Sequence, residues 1–368
     1  MDSNLQNTVP IEKVTLSAYR VPATLPESDG TLKWDSTTLI LVEIDAGGKT
    51  GIGYTYGDAC IACFIRDNLE RLITKQDAMD ISFLWEKMIT AIRNEGTCGM
   101  AMMAVSAVDN ALWDLKAKIL NLSLAKLLGN AREVVPVYGS GAFTSYSINQ
   151  LRIQMDDWMK EGFASVKMKI GRHPNEDLLR VKAARERLGE RVELFVDANG
   201  AYDVKTALKL AAQFVDCGVT WFEEPVPSSD LEGLVFIRNH CPAMMNIVAG
   251  EYGYTLSYFH EMLRHQAVNV LQADATRCGG VTGFMKAGVL AEAMQIPFSF
   301  HCAPAAHVHA AAALNAFYIG EYFYDHARIE HMLFEGAPDP VSGKLAIALN
   351  RLGAGLEFKH QDAAPYKL

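Results

Sequence analysis

The sequence predicts an α/β protein built as a (β/α)8 TIM-type barrel, with an N-terminal α+β capping domain completed by the C-terminal tail. Three observations predict it. Seven polar residues, Lys169, Asp197, Glu223, Glu251, Asp274, His301 and Glu321, recur at intervals of 28, 26, 28, 23, 27 and 20 residues. Each stands at or just beyond the end of a short apolar run rich in Val, Ile, Phe or Trp, as a buried parallel strand requires. The intervening segments, such as NEDLLRVKAARERLG and VKTALKLAAQFVDCG, have helical periodicity.

The run VVPVYGS (134–140) supplies the first strand. KEGFASVKMK, RVELFVD, VTWFEE, MNIVAGE, VNVLQAD, IPFSFH and AFYIGE supply the other seven. Eight parallel strands alternating with helices close into a barrel, whose strand C-termini carry the chemistry. One polar residue at a strand end means little. Seven in register predict a site.

The chain of 368 residues suits a barrel of about 250 residues plus an accessory domain. Residues 1–133 are expected to form the cap, 134–340 the barrel, and 341–368 a segment returning to the cap. IEKVTLSAYR, TTLILVEID and Thr50 to Tyr56, with a Gly47-Gly48 turn, read as an antiparallel meander. FIRDNLERLIT, ISFLWEKMITAI and AMMAVSAVDNALWDLKAKILN read as helices. Between the first two strands, PATLPESDGTLKWDS reads as a polar loop able to cover the barrel mouth.

Half of the residues are hydrophobic and the formal charge is −9, with no run of Lys or Arg, which excludes a nucleic-acid surface. No stretch has the length and apolarity of a membrane span, and MDSNLQNTVPIEK lacks the pattern of a signal peptide. Seven scattered cysteines fit a reducing cytoplasm, and the lone Cys60-Ile-Ala-Cys63 pair reads as packing. A homo-oligomer is expected, its subunit number unspecified.

Asp197, Glu223 and Glu251 end adjacent strands, so their charges repel unless a cation lies among them. With oxygen ligands alone, Mg2+ is the expected occupant. Lys167 and Lys169 point to the same side of their strand. Each disfavours the other's charge, which makes Lys169, nearer the mouth, a candidate neutral base and leaves Lys167 to bind a substrate carboxylate. Asp274 and His301 end neighbouring strands and suit a carboxylate-oriented imidazole base. Glu321 lies across the ring from Glu223, where a protonated carboxyl would donate to a developing enediolate oxygen. Together these positions surround a carbon next to a carboxylate and describe abstraction of its α-proton.

The same positions resemble the enolase superfamily, mandelate racemase subgroup. The motifs are Lys167-x-Lys169, Val-Asp-Ala-Asn with Asp197 and Asn199, Trp-Phe-Glu-Glu-Pro with Glu223, Gly-Glu with Glu251, Asp274 with His301, and Glu321. The Ala-Val-Asp-Asn-Ala-Leu-Trp-Asp-Leu-Lys-Ala-Lys stretch (107–118) extends the likeness into the first domain. The resemblance implies Mg2+ on Asp197, Glu223 and Glu251, Lys169 serving one face of the substrate and the His301–Asp274 dyad the other. It also implies a cap that supplies substrate-selecting loops, with Glu224 supporting the metal ligands from behind.

Two fates follow for the enediolate. Loss of a β-hydroxyl makes the enzyme a dehydratase of sugar acids (aldonates or aldarates), with His301 protonating the departing group. Return of a proton to the opposite face makes it a racemase or epimerase of a 2-hydroxy acid. The polar cap segment with Lys33, Trp34 and Asp35 favours the first, with Trp34 and Asn199 as substrate contacts. A zinc amidohydrolase would need a His-x-His at its first strand; the pair His307 and His309 lies elsewhere.

Overall fold

The computed structural model describes residues 8–368. The first residues of the stretch read for a signal peptide therefore lie outside the described residues. Strands β1 (Lys13–Ser28), β2 (Lys33–Ala46) and β3 (Lys49–Tyr56) form an antiparallel sheet in the order β1-β2-β3. Gly47 and Gly48, at φ 57° and 68°, make the two-residue turn between β2 and β3. Such a turn demands left-handed backbone at both positions, which glycine adopts without penalty.

The expected polar loop is instead a long hairpin arm. β1 and β2 continue through it, Glu27 pairing with Trp34 and Ser28 with Lys33, after a register slip between Pro22 and Glu27. Prolines 22 and 26 lack an N–H, and an edge strand tolerates that loss by bulging. Asp29 Oδ1 accepts from the amides of Thr31 and Leu32, at 2.6 Å each, and fixes the turn.

Helices Cys60–Phe64, Ile65–Leu69 (a π-turn), Glu70–Ile73, Ile81–Ala91 and Met100–Ile119 follow. The last is almost wholly buried, and its polar residues serve as anchors. Asp109 accepts from the amide (2.9 Å) and hydroxyl (2.7 Å) of Thr282 on the barrel helix Gly280–Ala293. Asn110 bridges Ala275 and Val281 beside it. These contacts hold the cap over one side of the barrel mouth.

The barrel comprises β4 (Val134–Gly141), β5 (Ser165–Lys169), β6 (Glu193–Asp197), β7 (Val219–Glu223), β8 (Asn246–Ala249), β9 (Val270–Ala273), β10 (Phe298–Phe300) and β11 (Phe317–Phe323). Each pairs in parallel with the next, and β11 pairs with β4 to close the ring. Tyr138, Phe195, Trp221, Val248, Val270 and Ile319 fill the lumen, with Phe195 and Trp221 stacked at 4.8 Å. This apolar plug is the floor on which the polar layer stands.

The closing segment divides its contacts. Lys344–Ala346 pairs antiparallel with the start of β4, whereas Gly353 exchanges hydrogen bonds with Leu122 and Leu124 of the cap. At the end, the Leu368 amide donates to Ala18 O at 2.9 Å.

Candidate active site

Lys169, Asp197 and Glu223 are the last residues of β5, β6 and β7 and are mutual register partners. Parallel pairing therefore places an ammonium and two carboxylates side by side. Glu251 lies two residues past β8 and reaches the same cluster through Gly250, whose φ is 138°. A Cβ there would stand 2.0 Å from Gln272 O, so only glycine lets the chain turn in.

One oxygen each from Asp197, Glu223 and Glu251 falls within a 4.8 Å cluster, all three residues being buried. Glu251 Oε2 and the nearby Glu224 Oε1 are buried without a hydrogen-bond partner. Burial, then repulsion from Glu251, Asp197 and Glu223, push the Glu224 carboxyl well above the usual range. Orphaned carboxylate oxygens in an all-oxygen set fit a hard divalent cation.

Lys167 is fully buried and spans the lumen. Its Nζ lies 2.5 Å from Glu223 Oε1, 2.8 Å from Glu321 Oε1 and 3.6 Å from Asp197 Oδ2. Trp221 Nε1 and Gln272 Nε2 donate to the other Glu223 oxygen, at 2.8 and 3.0 Å. Glu223 and Glu321, expected across the ring from each other, are thus joined by one ammonium.

Two expected charge states differ. Burial and Lys167 both disfavour charge on Lys169, but Asp197 Oδ2 at 2.5 Å outweighs them and holds this lysine above its ordinary range. With Asp197 as its partner, Lys169 favours its charged form over that of a neutral base. Burial would likewise raise Glu321, yet Lys167 and His301 hold it well below the usual carboxylate range. Ser140 Oγ (2.5 Å) and the Cys302 amide (3.0 Å) also donate to it. These partners favour an ionised, accepting Glu321 over a protonated donor.

Asp274 and His301 meet as expected, with His301 Nδ1 2.8 Å from Asp274 Oδ2. Despite burial, hydrogen bonding and the charge of His301 hold Asp274 well below its ordinary value. The other imidazole nitrogen, Nε2, faces Glu251 Oε2 at 3.4 Å, Glu321 Oε2 at 3.8 Å and Cys302 Sγ at 3.1 Å. Arg277 adds a cation 3.6 Å from both Glu251 Oε1 and Asp274 Oδ2.

Asn199, at φ 46°, donates its amide to Asp197 Oδ1 and keeps a buried, unpartnered Oδ1. Trp34 is half-buried, donates to Glu27 and packs edge-on against Phe143, beside Cys302 and Phe323. It lies over the β4 and β11 side of the mouth. His307 and His309 sit on helix Pro304–Ala312, where each accepts a backbone amide, from Ala275 and Ala125 respectively. His307 Nε2 also lies 3.5 Å from Asp274 Oδ1 and so supports the dyad from behind, whereas His309 braces the helix Leu124–Leu128.

Cys302 and Arg277 escaped the reading of the sequence. Arg277 carried a signal, since it follows Asp274 by three residues past a strand end. Cys302 carried none. Alternation would send it to the face opposite His301, but its φ of 50° turns both side chains into one mouth.

Comparison with known proteins agrees with this architecture. Residues 13–129 match the mandelate racemase / muconate lactonizing enzyme N-terminal domain, and residues 150–363 match the enolase C-terminal domain-like family. The chain belongs to the mandelate racemase/muconate lactonizing enzyme family of the enolase superfamily. A mandelate racemase/muconate lactonizing enzyme-like protein from Rubrobacter xylanophilus superposes with a TM-score of 0.95 at 49% identity, over 98% of this chain and 100% of that one. A 3,6-anhydro-alpha-L-galactonate cycloisomerase from Streptomyces coelicolor is 36% identical over 83% of this chain and 86% of its own. The L-talarate/galactarate dehydratase of Salmonella typhimurium is 31% identical over 95% of this chain and 89% of its own. Its structure with Mg and L-lyxarohydroxamate superposes with a TM-score of 0.92 at 28% identity, over 100% of this chain and 95% of that one. No helix among the described residues is long and apolar enough to cross a membrane.

Proposed function

We propose that this protein is a Mg2+-dependent lyase that removes the α-proton of an aldonate or aldarate and eliminates the β-hydroxyl as water, giving a 2-keto-3-deoxy acid. The observation that carries this reading is the placement of His301 Nε2, backed by Asp274, 3.4 Å from Glu251 Oε2 at the edge of the carboxylate trio. A base-or-acid imidazole beside the trio, with a lysine at its other edge, is what α-proton abstraction followed by loss of a β-hydroxyl needs.

Asp197, Glu223 and Glu251 would hold the Mg2+. When bound, it supplies a hard Lewis acid that draws charge from a substrate carboxylate and lowers the barrier to α-proton loss. The Lys167 ammonium, held by Glu223 and Glu321, would keep a fixed positive charge beneath the substrate carboxylate and so favour the charge that develops on it. Lys169 serves one face of the α-carbon. It can accept a proton only when its hold on Asp197 is loosened. His301 serves the other face and protonates the leaving hydroxyl, while Asp274 fixes its tautomer. In this reading residues 1–133 and the returning segment 341–368 select the substrate, with Trp34 and Asn199 touching it, and residues 134–340 do the chemistry.

The name of the Streptomyces relative favours a second reading, in which the group expelled is a ring ether oxygen and the product is an isomer. The same two bases would serve. A screen of aldonic, aldaric and anhydro-sugar acids in D2O with Mg2+ separates the outcomes. A keto product from an acyclic acid is expected. Deuterium uptake with inverted configuration and no keto product would identify a racemase instead. EDTA should abolish turnover and Mg2+ restore it.

A further inference from the structure

Beside the all-oxygen trio lies a second donor cluster of different chemical character. His301 Nε2, Cys302 Sγ and Glu321 Oε2 are buried and mutually close, with N···S 3.1 Å, S···O 3.5 Å and N···O 3.8 Å. A tetrahedral zinc ion, with bonds of about 2.3 Å to sulfur and about 2.0–2.1 Å to nitrogen or oxygen, needs ligand atoms roughly 3.3–3.6 Å apart. The observed triangle departs from that by a few tenths of an ångström. No smaller hard ion prefers such a set, because a thiolate and an imidazole select borderline or soft metals.

Two further features suit a ligand set. The Nδ1···Asp274 hydrogen bond fixes the imidazole so that the lone pair on Nε2 points at the cluster, the usual outer support of a zinc-binding histidine. Cys302 and Ala303 both hold left-handed backbone, φ 50° and 40°, which neither residue type favours. That conformation is what brings a thiol to the same side as the preceding imidazole. Glu251 Oε2, 3.4 Å from Nε2, marks the border between this cluster and the trio.

We propose that His301, Cys302 and Glu321 form a second, thiophilic metal site that takes Zn2+ and so occupies the imidazole that the proposed reaction uses. The thiol proton leaves to solvent as the metal binds. An ion there would withdraw His301 from acid–base work while Mg2+ stays bound to its own trio. Only this inhibitory consequence rests on the function proposed above; the site itself does not.

The test is binding, followed without substrate. Co2+ added to the whole protein at saturating Mg2+ should give a thiolate-to-cobalt charge-transfer band, displaced by stoichiometric Zn2+. The band should survive in a variant with Cys60→Ala, Cys63→Ala and Cys98→Ala, whose thiols are the exposed ones. It should vanish in Cys302→Ser, with Zn2+ affinity weakened by about tenfold or more. Should Cys302→Ser fail to fold, zinc X-ray absorption of the triple alanine variant should still report one sulfur among lighter ligands. A band lost in the triple variant but kept in Cys302→Ser, no band in either, or no sulfur at the zinc would overturn the proposal. An inactive protein that nonetheless gives the Cys302-dependent band would count against the dehydratase reading alone.

Discussion

Lys169 Nζ stands 2.5 Å from Asp197 Oδ2, and the two residues are register partners at the ends of β5 and β6. The lysine and a divalent cation therefore compete for one carboxylate. Lys169→Met should bind Mg2+ more tightly than the parent, while α-deuterium exchange on the Lys169 face falls by roughly 10²–10⁴-fold. Calorimetry and NMR in D2O read the two effects separately. Weaker Mg2+ binding in the variant would refute the competition.

His301 holds its partner Asp274 through Nδ1 and presents Nε2 to the site. His301→Asn should lower dehydration by roughly 10²–10⁴-fold while leaving Lys169-face exchange detectable. Undiminished keto-acid formation would remove His301 from its assigned role.

Gly30, at the tip of the hairpin arm, touches the mouth itself. A Cβ there would lie 2.2 Å from Ala198 O and 2.8 Å from Ile170 O, the residues that follow Asp197 and Lys169. Gly30→Val should lift the arm and lower kcat/KM by on the order of 10²-fold, with little change in Tm because the cap core is untouched. A normal kcat/KM would show that the arm has no part in positioning substrate.

Glu330 is buried between cap and barrel, accepting from Tyr54 Oη at 2.5 Å and the Ala305 amide at 3.0 Å. Burial pushes its carboxyl up to about 8. The folded state thus keeps a proton that the unfolded chain releases near its ordinary value. This stabilising contribution is complete below the unfolded pKa and is lost as pH rises through about 8. Glu27, pushed to about 8, and Asp109, pushed to about 7, have the same sign. Glu330→Gln should therefore flatten, without abolishing, the fall in Tm between about pH 5 and about pH 9. An equally steep fall in the variant would show that Glu330 is not the source.

The strand ends were legible because a βα repeat imposes a spacing and a buried strand imposes a composition. Lys169, Asp197 and Glu223 fall in line on those grounds alone. The hairpin arm was not legible, since its two prolines read as loop and only pairing with β2 makes them strand. Charge states were half legible. Repulsion between Lys167 and Lys169 follows from alternation along β5, but the carboxylates that override it are contributed by other strands, at distances that the order of residues does not contain. Cys302 depended on a single left-handed torsion.

The handover along β4 bears on how the molecule assembles during synthesis. Its first residues pair with Lys344–Ala346, roughly 210 residues downstream, and its later ones with β11, roughly 180 residues downstream. The cap likewise waits for Gly353 and Leu368 before its contacts at Leu122, Leu124 and Ala18 can form. Neither unit can finish before residues 344–368 are available to pair. Contacts so remote in sequence are slow to form. Until they do, the open rim of β4 is an unpaired strand edge, the kind of surface that chaperones shield and that mispairs at high expression.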